Sequence, residues 1–132
     1  MLSSLRSSAA PTSRRAFSTF SATRQHFMNA SPEQFDAQAI KGNKVTIVDF
    51  YADWCAPCKF LTPVLQRQVS EESGADLLTV DTDKHVELAQ TYKVTSLPTV
   101  LAFKNGNILG KFIGAQPESG VKNFVEKMTE SK

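Results

Sequence analysis

The sequence predicts an α/β fold built on a mixed sheet, and three observations point there. Strand-like and helix-like stretches alternate from Phe27 to Tyr92, an Asn105-Gly106 pair separates two β-rich runs, and apolar residues recur at helical spacing from Val121 to Met128. Alternation of that kind is the signature of parallel βαβ units. Asn-Gly favours positive φ at both turn positions and so reads as a tight antiparallel hairpin.

Taken in order, the first helix is expected from about Pro32 to Ile40, because Ser31 offers an N-cap, Pro32 suits the first helical position and Gln34 completes a capping box. Gly42 should end it. Val45 to Tyr51 is β-branched and almost wholly apolar, as expected of a central strand buried on both faces. A helix starting near Cys55 should follow, with Pro63 inside it removing a backbone donor and bending it. Leu77 to Val80 reads as the next strand and Val86 to Tyr92 as a short helix. Pro98 to Phe103 and Ile108 to Ile113 are the hairpin strands. Val121, Phe124, Val125 and Met128, at i, i+3, i+4 and i+7, form the apolar face of a closing helix.

A chain of 132 residues fits one domain. At 41% hydrophobic residues it shows no apolar run near the ~18 residues of a membrane span, so no membrane association is expected. The net charge of +2 is unevenly spread: Arg6, Arg14, Arg15 and Arg24 precede the first acidic residue, Glu33, and the remainder carries 11 basic against 13 acidic residues. A nearly neutral domain gives no electrostatic reason to expect nucleic-acid binding.

Residues 1 to 24 are rich in Ser, Thr, Ala and Arg, lack acidic residues and lack the continuous apolar stretch of a secretory signal. That composition reads as a cleavable organellar targeting peptide, here addressed to the mitochondrial matrix, ahead of a folded domain over residues 25 to 132. Arg15-Ala16-Phe17 before Ser18 resembles a matrix processing site, which places the mature N-terminus at Ser18 or a few residues later. A Ser-rich tail with no address and a plastid address are the competing readings.

The chemistry concentrates in Trp54-Cys55-Ala56-Pro57-Cys58, which holds both cysteines of the chain. A disulfide closing so short a loop removes little entropy from the unfolded chain, so stapling does not explain the pair. On a helix beginning at Cys55, Cys58 shares its face with Cα atoms about 5–6 Å apart, within disulfide reach. The unpaired N–H groups and positive dipole end at a helix N-terminus favour a thiolate, the species that attacks disulfides. Cys58 sits one turn inside, where burial disfavours its anion. Cys55 is thereby the expected nucleophile and Cys58 the resolving thiol. Pro57 fits the first turn, and Trp54 can wall the reactive sulfur. A zinc site would need two further ligands, and His26 and His85 are single and distant in sequence.

Asp49 stands out inside an apolar strand: desolvation should raise its pKa and make it a proton acceptor near neutrality. The competing reading is an ordinary hydrogen-bonded Asp at a strand end. Pro98 opens a strand, a permitted place for a residue without a ladder donor.

Val48-Asp49-Phe50-Tyr51-Ala52-Asp53-Trp54-Cys55-Ala56-Pro57-Cys58-Lys59 resembles the active-site signature of the thioredoxin family, and the likeness continues through Pro63, Leu97-Pro98-Thr99, Lys104-Asn105-Gly106 and Gly114-Ala115. The resemblance implies the thioredoxin fold, a five-stranded mixed sheet flanked by four helices with the hairpin at one edge. It implies that Asp49 assists proton transfer involving the resolving Cys. It further implies that the bond before Pro98 is cis and lies against the Cys pair, that the Leu97 backbone pairs with an extended substrate, and that Gly114 keeps the neighbouring surface low. The activity implied is protein-disulfide reduction by a monomer, with an NADPH-dependent thioredoxin reductase as the partner that restores the dithiol and with disulfide-containing proteins such as peroxiredoxins as substrates. No Gly-rich dinucleotide fingerprint occurs, so no flavin or nicotinamide cofactor is expected.

Two departures from the commonest family pattern are visible. Ala56 replaces the usual Gly and favours helix. Leu77 stands where many members carry a Lys that neighbours the buried Asp, and losing that charge should push Asp49 further upward. An isomerase or oxidant would commonly place His where Pro57 stands, and no glutathione-site pattern is found. A redox-independent structural or chaperone-like binding module is the alternative from a different class.

Overall fold

The computed structural model describes residues 26–130, so the expected targeting segment and its Ser18 processing point lie outside the described residues. In chain order the elements are β1 (His26–Phe27), α1 (Pro32–Phe35), which runs on into a π-helical turn (Asp36–Ile40), β2 (Val45–Tyr51), α2 (Ala56–Gln68), β3 (Ala75–Asp81), α3 (Val86–Thr91), β4 (Thr99–Lys104), β5 (Asn107–Ile113) and α4 (Glu118–Glu130). The five strands form one sheet in the order β1-β3-β2-β4-β5. β3 runs parallel to both β1 and β2, while β4 is antiparallel to β2 and β5 to β4. This is the mixed sheet expected from βαβ units followed by a hairpin.

Ser31 caps α1 as its sequence suggests: its hydroxyl accepts from the Gln34 N–H at 3.1 Å, and the Gln34 side chain accepts from the Ser31 N–H at 3.0 Å. The second half of that helix differs from expectation by widening to π geometry, with the Lys41 N–H donating to the Asp36 carbonyl at 2.9 Å. The hairpin tip docks there, the Asn105 N–H donating to Gly42 O and the Gly106 N–H to Ala39 O. Gly42 ends the helix by close approach, since a Cβ at that position would collide with the Gln38 carbonyl oxygen. At the turn itself Asn105 and Gly106 have φ of 53° and 80°, as the hairpin requires.

Strand alternation divides the core between the two faces of the sheet. One face joins Ile47, Leu77, Val100 and Ala102 to Leu61 and Leu65 of α2 and Val121 and Val125 of α4. The other joins Val48, Phe50, Leu78, Val80 and Phe103 to Phe35, Leu88 and Tyr92. No helix among the described residues is long and apolar enough to cross a membrane. α2 continues through Pro63 to Gln68, and Pro63, lacking an N–H, leaves the Lys59 carbonyl without its helical donor.

Candidate active site

β2 is a central strand buried along nearly its whole length, and the chain leaves its C-terminal end through Ala52, Asp53 and Trp54 to start α2. Cys55 is the N-cap of α2, at φ −88° and ψ 105°, and Ala56 and Pro57 occupy its first turn. The Cys55 sulfur takes the place that a Ser or Asp oxygen usually fills at a helix start: it accepts the Cys58 N–H at 3.2 Å. Cys55 and Cys58 form a disulfide with Cα atoms 5.3 Å apart. Burial does not separate the two as expected, since Cys55 is 4% and Cys58 2% exposed. What separates them is position. Cys55 sits where unpaired N–H groups converge, and Cys58 lies inside the first turn.

Asp49 lies on the α2 face of β2, fully buried. Burial pushes its carboxyl up from 3.8 to about 6, offset in part by the Thr62 hydroxyl, which donates to Oδ2 at 2.7 Å. Its other oxygen, Oδ1, is buried with no hydrogen-bond partner among the described residues. The expectation for Leu77 is corrected here. Parallel pairing places Thr79 opposite Asp49, and Leu77 lies opposite Ile47, where it belongs to the apolar core. The position beside Asp49 on β3 is therefore held by a hydroxyl residue, and Leu77 has no part in setting the charge there.

The bond from Leu97 to Pro98 is cis, and Leu97 packs against the cluster of Ala52, Cys55 and Cys58. Gly114, at φ +91°, donates its N–H to the Pro98 carbonyl at 2.8 Å, and a Cβ there would project into open space. The cis-proline loop and the end of β5 are thus fastened together beside the disulfide. Trp54 is 71% exposed, yet its indole Nε1 donates to Asp83 Oδ2 at 3.0 Å. Asp83 is placed by Asp81, whose Oδ1 accepts the N–H groups of Asp83 and Lys84.

Around the Trp54-Cys55-Ala56-Pro57-Cys58 stretch the structure places Leu97 and Pro98, with Gly114 bonded to Pro98 and Asp49 joined through Thr62 to the cleft that Cys58 lines; Leu77 is not among them. Sequence reasoning missed Thr62, Asp81 and Asp83. The Asp81-Thr82-Asp83 turn pattern after a strand was the available signal for the last two. No group of three or more His, Cys, Asp or Glu able to hold a metal occurs among the described residues.

The family model for thioredoxin matches residues 26–127. The chain belongs to the thioredoxin family. It is 35% identical over 119 residues to the mitochondrial thioredoxin of Rattus norvegicus, covering 89% of this chain and 72% of that protein. Against the chloroplastic thioredoxin Y of Oryza sativa it is 38% identical over 128 residues, covering 96% of this chain and 73% of the relative. The matched stretch spans only 57% of the mitochondrial thioredoxins of Mus musculus and Bos taurus. Among solved structures, a mutant thioredoxin from Halobacterium salinarum superposes with a TM-score of 0.72 at 31% identity over 82% of this chain and 94% of that one. The oxidised thioredoxin of Plasmodium falciparum does so at 0.69 and 32% identity, over 78% and 97%. With the Cys55–Cys58 disulfide at the head of α2, the protein is a dithiol-disulfide oxidoreductase of the thioredoxin, protein-disulfide-reducing type.

Proposed function

We propose that the protein reduces disulfides of other proteins in the mitochondrial matrix and is re-reduced by an NADPH-dependent thioredoxin reductase. The observation that carries this is the Cys55–Cys58 disulfide at a helix N-terminus on the C-terminal side of β2, with the raised Asp49 on the face beneath α2. In the reduced form the Cys55 thiolate attacks one sulfur of the substrate disulfide, the other substrate sulfur leaves and is protonated, and a mixed disulfide results. Asp49 then takes the Cys58 proton, and the Cys58 sulfur attacks Cys55. The second substrate thiol leaves, two electrons having passed to the substrate, and the Cys55–Cys58 disulfide remains.

The exposed Trp54, the Leu97-Pro98 edge and Gly114 form the surface that receives an extended substrate segment. Peroxiredoxins, whose turnover leaves a disulfide, are the substrate class proposed. The protein works as a monomer and holds no cofactor, its dithiol carrying the electrons. Residues 1 to 24 act as the cleavable targeting peptide ahead of the catalytic domain over residues 25 to 132, and the Arg-rich, acid-free composition together with the mitochondrial relatives supports that address. A chloroplastic relative also matches, so fractionation of the native protein with N-terminal sequencing is the test of destination. NADPH-coupled reduction of a protein disulfide by the Cys55→Ser variant tests the chemistry: turnover should vanish, and retained turnover would reject the Cys55–Cys58 redox mechanism.

A further inference from the structure

A threonine inside a helix ordinarily turns its hydroxyl back onto the carbonyl four residues earlier. Thr91 does so to Glu87 O at 2.9 Å and Thr129 to Val125 O at 2.9 Å. Thr62 does not. Its hydroxyl donates to Oδ2 of Asp49, 13 residues away on β2, at 2.7 Å, while Oδ1 stays buried without a hydrogen-bond partner among the described residues. Thr62 also stands between two clefts. One, of about 270 Å³, is lined by Tyr51, Cys58, Lys59, Thr62 and Pro63 among others, so Thr62 shares it with Cys58. The other, of about 180 Å³, is lined by Met28, Asn29, Tyr51, Thr62 and Thr79.

We propose that Thr62 is a positioning residue for the proton-transfer step: its hydroxyl engages Oδ2 of Asp49 and reserves Oδ1 as the oxygen that takes the proton from Cys58. The proposal rests on the reading of Asp49 as proton acceptor. No bond to Thr62 forms or breaks; a proton moves from the Cys58 thiol to Asp49 Oδ1 as the Cys58 sulfur attacks Cys55, and the bond from Cys55 to the substrate sulfur breaks, that sulfur leaving with the electron pair. A hydrogen bond to a carboxylate is stronger than one to a neutral carboxyl, so Thr62 favours the ionised acceptor. Burial alone would hold Asp49 in its protonated, unreceptive form to a higher pH. Around Asp49 the register neighbours are Thr79 on β3 and Val100 on β4, neither of which titrates. The titratable groups nearby are Tyr51 on the same strand, pushed upward first by burial and then by Asp81, Asp53 and Asp49, and Asp53, Cys58 and Lys59 in the shared cleft.

The test is the titration of the Asp49 carboxyl, followed by carbon-13 NMR in the oxidised full chain. The wild type should titrate near 6. Thr62→Val, which keeps the shape and removes the hydroxyl, should move the midpoint up by about one pH unit, the size expected for losing a hydrogen bond to a charged group. Thr62→Ser should restore it. Resolution of a mixed disulfide at pH 6 should then be about five-fold slower in Thr62→Val, through the smaller ionised fraction of Asp49. If the Val variant does not fold, Thr62→Ala carries the same expectation. An unshifted midpoint in the hydroxyl-free variant overturns the proposal and leaves Asp49 as the acceptor untouched. Wild-type resolution kinetics in Asp49→Asn would instead remove the acceptor reading, and the proposal with it.

Discussion

Beneath α1 and α3 the sheet buries Phe35, Phe50 and Phe103 against Tyr92, with ring centroids 5.3 to 6.5 Å apart. Beneath α2 and α4 the buried residues Ile47, Leu61, Leu65, Leu77 and Val100 are aliphatic, with one ring pair, Phe112 and Phe124, at the margin, and Asp49 projects from the same face of β2. The first face holds the fold through packing between rings. The second gives up some of that stability by burying an ionisable group beneath the helix that presents the cysteines. Both sides pack the fold, and the α2 side also carries a buried carboxyl beneath the cysteines.

The largest effect expected is on the reactive face. Cys55→Ser should abolish disulfide reduction while thermal unfolding of the reduced protein stays close to wild type, because the sulfur's task is chemical; a collapse of the fold would undo the division between faces. On the opposite face Phe103→Ala should destabilise the protein by about 3–5 kcal/mol, the usual loss for emptying a buried aromatic site. Urea unfolding measures this, and activity per folded molecule should be unchanged.

Asp49→Asn should act in the reverse sense on stability. A carboxyl raised from 3.8 to about 6 corresponds to about 3 kcal/mol at about 1.4 kcal/mol per unit. For a raised carboxyl the associated stability is full below the unfolded value near 3.8 and is lost as pH rises through about 6. The Asn variant should therefore be the more stable protein at pH 8, by an amount that shrinks towards pH 4, and chemical denaturation at the two pH values checks it. The smallest effect lies at the rim of the same face. Glu118, at the start of α4, accepts hydrogen bonds from Arg67 Nε at 3.0 Å, Arg67 Nη2 at 2.9 Å and the Gln68 amide at 2.7 Å, and these bonds lower its pKa to about 2. Its stabilising part is present above the ordinary value of 4.5 and is lost as pH falls through about 2. The pair is solvent-exposed, so Glu118→Gln should lower the unfolding midpoint only slightly at pH 7 and not at pH 2.

How much of this is legible in the sequence depends on whether a feature is local. The buried β2, the hairpin at Asn105-Gly106 and the capped start of α1 follow from short patterns. β1 has two residues and is a strand only because β3 lies beside it, so no pattern of its own announces it. The π-turn after Phe35 meets a hairpin tip more than sixty residues further along the chain, a contact no local pattern announces. At the site, the raised carboxyl of Asp49 was readable from its apolar neighbours, since desolvation needs no knowledge of partners. Which residue faces it was not readable, because strand register is a tertiary property, and a slip of two residues put Leu77 in the place of Thr79. Thr62 carries no local signal, because only the packing of α2 on β2 brings its hydroxyl to Asp49.

Asp49, as the proposed acceptor for Cys58, should govern the second half of the redox cycle. The most direct measurement is the rate at which a mixed disulfide between Cys55 and a small thiol collapses to the Cys55–Cys58 disulfide, followed from pH 5 to 9 in wild type and Asp49→Asn. The wild-type rate should show an inflection near the Asp49 pKa of about 6 that is missing from a slower Asn variant. Superimposable profiles would remove Asp49 from that step.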